Sequence, residues 1–291
     1  MSVKKPQPRA AVLYARGKWL DWRAKRGLYL SRETTEKEPF VKNNSALVII
    51  PAFNEAASLP AVFADLRACG VEVDWLVVDD ASDDETARVA KSLGVKVITL
   101  PLNMGVGGAV QAGYIYAWEN GYDQAIQFDG DGQHRAKHLA ELLEPVRTGR
   151  ANMSIGSRYL DGVRYRQQVS RQIGSRLFCF VLRIIFRQKF TDPTSGFRAV
   201  NRPLLGFFAK HYPQGWLGDT LEALVEAARH GFTVCEVPVT MRQRKHGSSA
   251  ANFLKGAFSS CCVLLAIFID LFEKKHPHQP GQAKEEPCSP N

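Results

Sequence analysis

The sequence is poor in cysteine, and no two cysteines have the C-x-x-C spacing that is typical of zinc sites. Most of the cysteines lie in apolar runs, where a thiol packs as a small hydrophobic group. The six cysteines are at positions 69, 179, 235, 261, 262 and 288. We therefore expect reduced thiols in a reducing compartment, and neither a disulfide scaffold nor a structural zinc site.

No apolar run is long enough for a clean membrane span. The run at residues 256–269 has fourteen residues, whereas a spanning helix needs about twenty. It predicts an interfacial or re-entrant helix over 251–272, or a face that contacts a second copy of the chain or a membrane protein. The N-terminus is basic and lacks the apolar core of a secretory signal, which indicates a cytoplasmic protein.

Acidic residues are too few to balance the basic ones, and most of the basic excess lies near the N-terminus. The net charge is +9, and residues 1–44 hold eleven basic and four acidic residues. Residues 14–26 interleave Trp19 and Trp22 with Arg and Lys, which suits a helix among lipid headgroups or an arm on the protein's own surface. Residues 174–187 are a second amphipathic candidate. No nucleic-acid-binding fold accompanies this charge, so we expect a peripheral protein on the cytoplasmic face of the inner membrane.

The composition divides the chain into four segments, of which one is long enough for a large domain. They are a basic extension at 1–44, a domain at 45–250, an apolar interfacial helix at 251–272 and a tail at 273–291. The tail is rich in proline and charge, which predicts disorder.

Short β-rich runs alternate with helical patterns in the central segment. The predicted strands are 46–50, 75–78, 95–100, 124–128, 153–155 and 232–237, and the predicted helices lie near 57–69, 84–93, 107–119 and 136–147. Such alternation is typical of a doubly wound α/β sheet with parallel strands. Ser82 and Glu85 have the S-x-x-E spacing of a capping box, which predicts a helix start at Ser82.

Acidic side chains follow three of the predicted strands. Glu55 comes after the first, Asp79 and Asp80 end the second, and Asp129 and Asp131 follow the fourth. Ligands of such sheets bind at the carboxyl ends of the strands. Repulsion among these acids costs free energy unless a cation or a hydrogen-bonding ligand offsets it. We interpret this edge as a functional site rather than a set of surface loops.

Asp129 and Asp131 flank Gly130, so both side chains can reach one point while the backbone stays close to a ligand. Few, hard oxygen ligands favour Mg²⁺ or Mn²⁺ that shares its shell with phosphates. A calcium loop is excluded because Gln133 occupies its fifth position and its twelfth position carries no acid. The H-E-x-x-H zinc motif is missing as well.

Gly105 and Gly107 follow the third predicted strand and open a helix whose N-terminus could favour an anion. The run departs from the dinucleotide fingerprint, because Val110 stands where the last glycine belongs. Close helix–strand packing and phosphate contact both remain open for these glycines.

Four runs in register resemble the family 2 glycosyltransferases. They are VIIPAFNE at 48–55, VVDDAS at 77–82, DGDGQH at 129–134 and GSR at 156–158. Two further runs, TDPTSGFR at 191–198 and CEVP at 235–238, resemble the branch with dolichyl-phosphate mannosyltransferases and bacterial polyprenyl-phosphate sugar transferases. The resemblance covers about residues 45–250 and implies a GT-A fold, a single Rossmann-like domain with a mostly parallel sheet.

The resemblance implies roles for the matching residues. The nucleotide would be lined by Pro51, Phe53 and Glu55, and its base and ribose would meet Val78, Asp79 and Asp80. Asp129 and Asp131, on either side of Gly130, would hold Mg²⁺ or Mn²⁺ on the diphosphate, with Gln133 as a further ligand. Arg158 and Arg244 would face phosphate groups of the donor or the acceptor. Two departures are Phe53 in place of a common Tyr and Ala250 where the mannosyltransferases have Lys.

The implied reaction is inverting transfer of a hexose from a nucleotide sugar, of the GDP-mannose or UDP-glucose type, to a polyprenyl phosphate or another membrane-linked acceptor. Metal and cationic side chains would neutralise the leaving diphosphate, so Asp131 and Arg158 are expected to be catalytic. A hydroxyl acceptor also needs a general base. Asp219 and Glu222, at the start of a predicted helix, are candidates for this base and equally suit helix N-terminal acids.

Two alternative functions stay open. One is a hydroxyl-acceptor transferase that extends a cell-surface polysaccharide or glycolipid, and the other is a nucleotide-sugar-binding subunit without turnover. A nucleotidyltransferase is disfavoured, because the first strand is not followed by a loop rich in glycine, lysine and arginine that would bind a triphosphate.

Overall fold

The computed structural model describes residues 45–160, 183, 189–213 and 219–242. The expectations for residues 1–44, 251–272 and 273–291 lie outside this range, and the stretch at 174–187 is described only at Arg183.

Seven strands and six α-helices are formed by the described residues. The strands are β1 (Ala46–Ala52), β2 (Asp74–Asp79), β3 (Lys96–Thr99), β4 (Gln124–Gln127), β5 (Met153–Ser157), β6 (Arg198–Asn201) and β7 (Val234–Pro238). The helices are α1 (Leu59–Ala68), α2 (Thr86–Ser92), α3 (Gly105–Glu119), α4 (Leu139–Arg147), α5 (Arg202–His211) and α6 (Asp219–Arg229), with a 3₁₀ turn at Ala136–His138 before α4.

The strands form one sheet in the order β3-β2-β1-β4-β6-β5-β7. Strand β1 is parallel to both of its neighbours, β2 and β4. Strand β6 is antiparallel to β4 and to β5, so the sheet is mixed but mostly parallel. The predicted α/β class is confirmed, whereas β6 and α5 were not among the predicted elements.

Helices cover both faces of the sheet, which explains why β1 is apolar throughout. Leu47 and Ile49 pack in the layer formed with α3, α5 and α6. Val48 and Ile50 point the other way and pack with α1, α2 and α4. Successive side chains of a strand alternate between faces, so this one strand joins the two halves of the core.

The capping-box prediction at Ser82 is wrong. Helix α2 begins at Thr86, and its preceding residue is Glu85. The side chain of Asp84 accepts hydrogen bonds from the backbone N–H of Thr86 at 2.9 Å and from its hydroxyl. Ser82 instead lies in the preceding loop, where its hydroxyl accepts a hydrogen bond from the Asn54 N–H at 3.0 Å.

None of the helices in the described part of the chain is long and apolar enough to cross a membrane. The two cysteines in the described ranges, Cys69 and Cys235, are free thiols.

Candidate active site

The site lies where the strand order changes direction. Strands β2 and β3 are on one side of β1, and β4 is on the other, which leaves a crevice at the carboxyl ends of β1 and β4. Pro51 lies near the end of β1, and Asp129 follows β4. A Cβ at Gly130 would lie 3.2 Å from the carbonyl oxygen of Pro51. Glycine at this position therefore lets the loop at residues 129–134, here called the carboxylate loop, pack directly on β1.

The two predicted metal ligands occupy this crevice. About a third of the Asp129 side chain is exposed, at 35%, and the Gln127 amide donates a hydrogen bond to its Oδ1 at 3.4 Å. Asp131 lies two residues further, and its Oδ1 accepts a hydrogen bond from the Gln133 N–H at 3.0 Å.

The carboxylates fit a divalent cation that is shared with a phosphate. Carboxylate oxygens are hard donors, and a Mg²⁺ ion commonly takes one or two of them together with phosphate oxygens and water. Within the described ranges, no three His, Cys, Asp or Glu side chains converge as a metal-binding group. By the chemistry of their donor oxygens, the carboxylates of Asp129 and Asp131 suit Mg²⁺ or Mn²⁺.

An ion pair beside Asp131 links three segments of the chain. Asp65, on α1, accepts hydrogen bonds from Arg242 at 2.8 Å and from the Ala136 N–H at 2.8 Å. Burial raises the pKa of Asp65, but its bonds to Arg242 and Ala136 outweigh this effect and hold the pKa below its usual 3.8. The Arg242 N–H donates to the Gln133 carbonyl at 2.8 Å. Asp65 and Arg242 also line a cavity of about 610 Å³ together with Asp131.

The loops after β1 and β2 are held together by side-chain-to-backbone hydrogen bonds. The donors and acceptors are Asn54 N to Ser82 Oγ (3.0 Å), Asp83 N to Asn54 Oδ1 (2.9 Å), Glu55 N to Thr86 Oγ1 (2.8 Å) and Ala56 N to Asp84 Oδ2 (3.2 Å). Asn54 and Ala81 have positive φ angles of 56° and 57°. Phe53, the predicted nucleotide contact, is 43% exposed at the start of this loop.

The acids that end β2 are directed into the protein. Asp79 and Asp80 are 2% and 4% exposed. Asp80 accepts hydrogen bonds from the N–H groups of Met104 (2.7 Å) and Gly105 (2.8 Å) at the start of α3. Burial raises the pKa of Asp80; these two bonds oppose the effect, and the charge of Asp79 adds to it. The N-terminus of this helix, for which packing and phosphate contact were both left open, therefore contacts a carboxylate of the same chain.

Arg158, which was expected to face a phosphate, is held by a buried carboxylate. Its Nε and a terminal nitrogen lie 2.6 and 2.7 Å from the two carboxylate oxygens of Asp192. The Asp192 side chain is fully buried, and 18% of the Arg158 side chain is exposed. Such a two-point contact fixes both the position and the plane of the guanidinium.

A second carboxylate, the half-buried Glu236, holds the backbone at Thr191 and Asp192. Glu236, on β7, accepts hydrogen bonds from the N–H groups of Thr191 and Asp192 and from the Thr191 hydroxyl, at 2.7 to 2.9 Å. Burial raises the pKa of Glu236; the bonds from Asp192 and Thr191 oppose the effect, and the charge of Asp192 adds to it. Asp192 and Glu236 lie in the runs TDPTSGFR and CEVP, but the family resemblance implied no role for either residue.

Arg198 connects the start of α6 to the loop at residues 195–196, which lies next to Asp129. Arg198 is 2% exposed and donates hydrogen bonds to the carbonyls of Ser195 at 2.7 Å and Thr220. A Cβ at Gly196 would lie 3.1 Å from Asp129 Oδ2. Asp219 is the first residue of α6, and the partly buried Glu222 follows within its first turn.

The predicted site is therefore assembled in part. The structure brings together the β1 end, the Asp129–Asp131 run and, through Gly196, the loop that carries Asp192. Val78 is fully buried in β2. Arg244 and Ala250 lie outside the described residues. The site roles assigned to individual residues stay predictions.

The chain has clear relatives. Residues 47–207 match the model of the family described as "Glycosyl transferase family 2". The chain is 36% identical to the undecaprenyl-phosphate mannosyltransferase of Micrococcus luteus, over 70% of this chain and 86% of the relative. It is 32% identical to the polyprenol monophosphomannose synthase of Mycolicibacterium smegmatis, over 70% and 79% of the two chains.

The fold also has counterparts among solved structures. The glucosyl-3-phosphoglycerate synthase of Mycobacterium tuberculosis, in complex with Mn²⁺ and UDP-glucose, superimposes with a TM-score of 0.58. The alignment covers 78% of each chain at 20% sequence identity. The chain belongs to glycosyl transferase family 2, as its motifs indicated, and has the GT-A fold of these glycosyltransferases.

Proposed function

We propose that the chain transfers a hexose, with inversion, from a nucleotide sugar to a polyprenyl phosphate. The observation that carries the proposal is the pair Asp129 and Asp131 at the crevice between β1 and β4, in a family 2 fold. The two relatives, by their names, use undecaprenyl phosphate or a polyprenol as acceptor and mannose as the sugar. GDP-mannose is thus the first donor to test, followed by UDP-glucose.

In this proposal Asp129 and Asp131 would hold Mg²⁺ or Mn²⁺, with Gln133 as a further ligand, and a bound ion would supply positive charge for the leaving diphosphate. Arg158 is kept in one orientation by Asp192 and supplies a fixed positive charge for a phosphate group. Charge stabilised by such preorganised groups needs no rearrangement during the reaction.

The chemistry of the acceptor decides whether a base is required. A phosphate acceptor is already an anion, so attack needs no proton removal, whereas a hydroxyl acceptor requires a general base. Asp219 and Glu222 would take this role only in the second case. The basic residues of 1–44 would bring the enzyme to the anionic lipid surface where a polyprenyl phosphate resides.

The test is sugar transfer by the purified full chain with Mn²⁺, a radiolabelled nucleotide sugar and polyprenyl phosphate, without any saccharide. We expect label in the lipid extract with one donor, and at least a hundredfold loss in Asp131→Asn. Asp123→Asn is the matched control with full activity, because Asp123 lies before β4, at the opposite end of the strand from the crevice.

The other outcomes separate the alternatives. Transfer only after a saccharide or glycolipid is added would contradict the polyprenyl-phosphate proposal and favour the hydroxyl-acceptor enzyme. Nucleotide-sugar binding without transfer to any acceptor would favour the non-catalytic subunit.

A further inference from the structure

His134 is a buried histidine at the end of the carboxylate loop. The reaction described above gives this side chain no role. It is 3% exposed and lies parallel to the ring of Phe197, with centroids 4.8 Å apart and an interplanar angle of 19°. The edge contact with Phe128 has a centroid distance of 5.3 Å and an angle of 85°. Because aromatic rings contact it on two sides, the imidazole has little freedom to turn.

The imidazole faces Asp129 with both of its nitrogens. Its Nδ1 accepts a hydrogen bond from the backbone N–H of Asp129 at 3.0 Å. A nitrogen that accepts from an N–H carries no proton, so this contact assigns the ring proton of the neutral imidazole to Nε2. Nε2 lies 3.5 Å from Asp129 Oδ2. One side chain therefore contacts both the backbone and the carboxylate of the same residue.

The carboxylate of Asp129 has close neighbours on the sides of both of its oxygens. Gln127 donates to the opposite oxygen, Oδ1, at 3.4 Å. On the Oδ2 side, a Cβ at Gly196 would lie only 3.1 Å away, so this glycine approaches the carboxylate closely. Asp129 is thus contacted at its backbone by His134 and at both carboxylate oxygens by neighbouring side chains.

We infer that His134 is a positioning residue that orients Asp129 for divalent metal binding, through the hydrogen bond that its Nδ1 accepts from the Asp129 backbone and through the proximity of its Nε2 to the carboxylate. The inference rests on the proposed function, since it takes Asp129 as a metal ligand. Residues that hold a metal ligand in place typically affect metal affinity by about 10-fold to 100-fold when they are replaced.

The test measures Mn²⁺ affinity directly, from the electron paramagnetic resonance signal of free Mn²⁺, with the full chain and with GDP or UDP present. His134→Phe keeps a ring against Phe197 and removes both nitrogens, so we expect Mn²⁺ affinity to fall about 10-fold to 100-fold. In His134→Asn, the amide oxygen can still accept from the Asp129 N–H, and we expect a smaller loss.

His138→Phe is the matched control. His138 is 8% exposed, almost as buried as His134, but its nitrogens contact Glu141 at 2.6 Å and Thr240 at 2.9 Å instead of Asp129. We expect its Mn²⁺ affinity to equal that of the wild type. Thermal unfolding of each variant shows whether it is folded, and if His134→Phe does not fold, His134→Asn decides the test.

Wild-type Mn²⁺ affinity in the folded His134 variants would overturn the role of His134 and leave the proposed metal site standing. An equal loss in His138→Phe would also overturn it, because the effect would then follow from replacing any buried histidine in this region. Failure of the wild type itself to bind Mn²⁺ with either nucleotide would overturn both the metal site and the role of His134.

Discussion

Ala81 has a left-handed backbone conformation, with φ at 57°, that costs a non-glycine residue about 1–2 kcal/mol. The loop that contains it is held by the hydrogen bonds between the β1 and β2 ends. Ala81→Gly should raise the free energy of unfolding by about 0.5–1 kcal/mol, because relief of strain exceeds the added entropy of the unfolded chain. Urea unfolding of the two proteins measures the difference.

The control for this prediction is Ala64→Gly. Ala64 is an exposed residue inside α1, where glycine should lower the free energy of unfolding by about 1 kcal/mol. If both substitutions were destabilising by the same amount, the backbone of Ala81 would carry no strain.

Single residues also show which parts of the site could be predicted from sequence. Asp129 and Asp131 were predictable because they directly follow an apolar strand, and strand ends meet at one edge. The pairing of Arg158 with Asp192 was not, because it joins positions 34 residues apart. No local pattern in the chain specifies such a contact.

At the scale of elements, the prediction succeeded where hydrophobic patterns are strong. Helix α4 buries Leu139, Leu142, Leu143 and Val146, the spacing of one helical face. Strand β6 has only four residues and begins with the buried cation Arg198, so neither its length nor its composition indicated a strand. Propensity cannot anticipate a charge that is buried against backbone carbonyls.

Helix α3 packs on β1 through a glycine. A Cβ at Gly113 would lie 2.3 Å from Cγ2 of Ile49, which is fully buried. Adding a methyl group to a packed core lowers the free energy of unfolding by about 1–3 kcal/mol. The higher helix propensity of alanine raises it by about 1 kcal/mol. We expect Gly113→Ala to lower the free energy of unfolding by up to about 2 kcal/mol, measured by denaturant unfolding.

A double-mutant cycle with Ile49→Ala provides the control. The smaller side chain makes room for the new methyl group, so the two substitutions together should cost less than the sum of the separate costs. Strict additivity would show that the contact between α3 and β1 tolerates a larger residue.

The ion pair between Asp65 and Arg242 joins α1 to the segment after β7, and its contribution depends on pH. The pKa of Asp65 is lowered in the folded protein, so the pair stabilises the fold above pH 3.8 and loses this effect as the pH falls below that value. The two side chains are 23% and 39% exposed, which limits the gain to about 1 kcal/mol.

Asp65→Asn should therefore lower the free energy of unfolding by up to about 1 kcal/mol at pH 7. Wild type and variant should converge when urea unfolding is repeated below pH 3.8. A difference that stays constant across this range would show that the charge of Asp65 is not the stabilising feature.

Across the whole molecule, most of the net positive charge lies in the extension at 1–44, and the remainder is nearly neutral. Each Lys or Arg near an anionic membrane contributes about 1 kcal/mol of attraction, and salt screens it. Replacing the five basic residues at 16, 18, 23, 25 and 26 with Gln should abolish co-sedimentation with anionic phospholipid vesicles. Binding of the wild type should weaken as salt is raised.

The matched control replaces five exposed basic residues of the described domain. They are Arg88, Lys91, Lys137, Arg150 and Lys210. Because these lie on several separate elements, we expect the control to bind vesicles like the wild type. Equal loss in both variants would assign membrane attraction to net charge alone rather than to residues 14–26.

We propose that Asp129 and Asp131 form a metal and nucleotide site at the crevice between β1 and β4. The most direct measurement is the melting temperature with GDP, UDP or dTDP, each with and without Mn²⁺, for the wild type and for Asp131→Asn. We predict a rise with one nucleotide that requires Mn²⁺ and is lost in the variant. No rise with any nucleotide in the folded wild type, or an equal rise in Asp131→Asn, would contradict the claim.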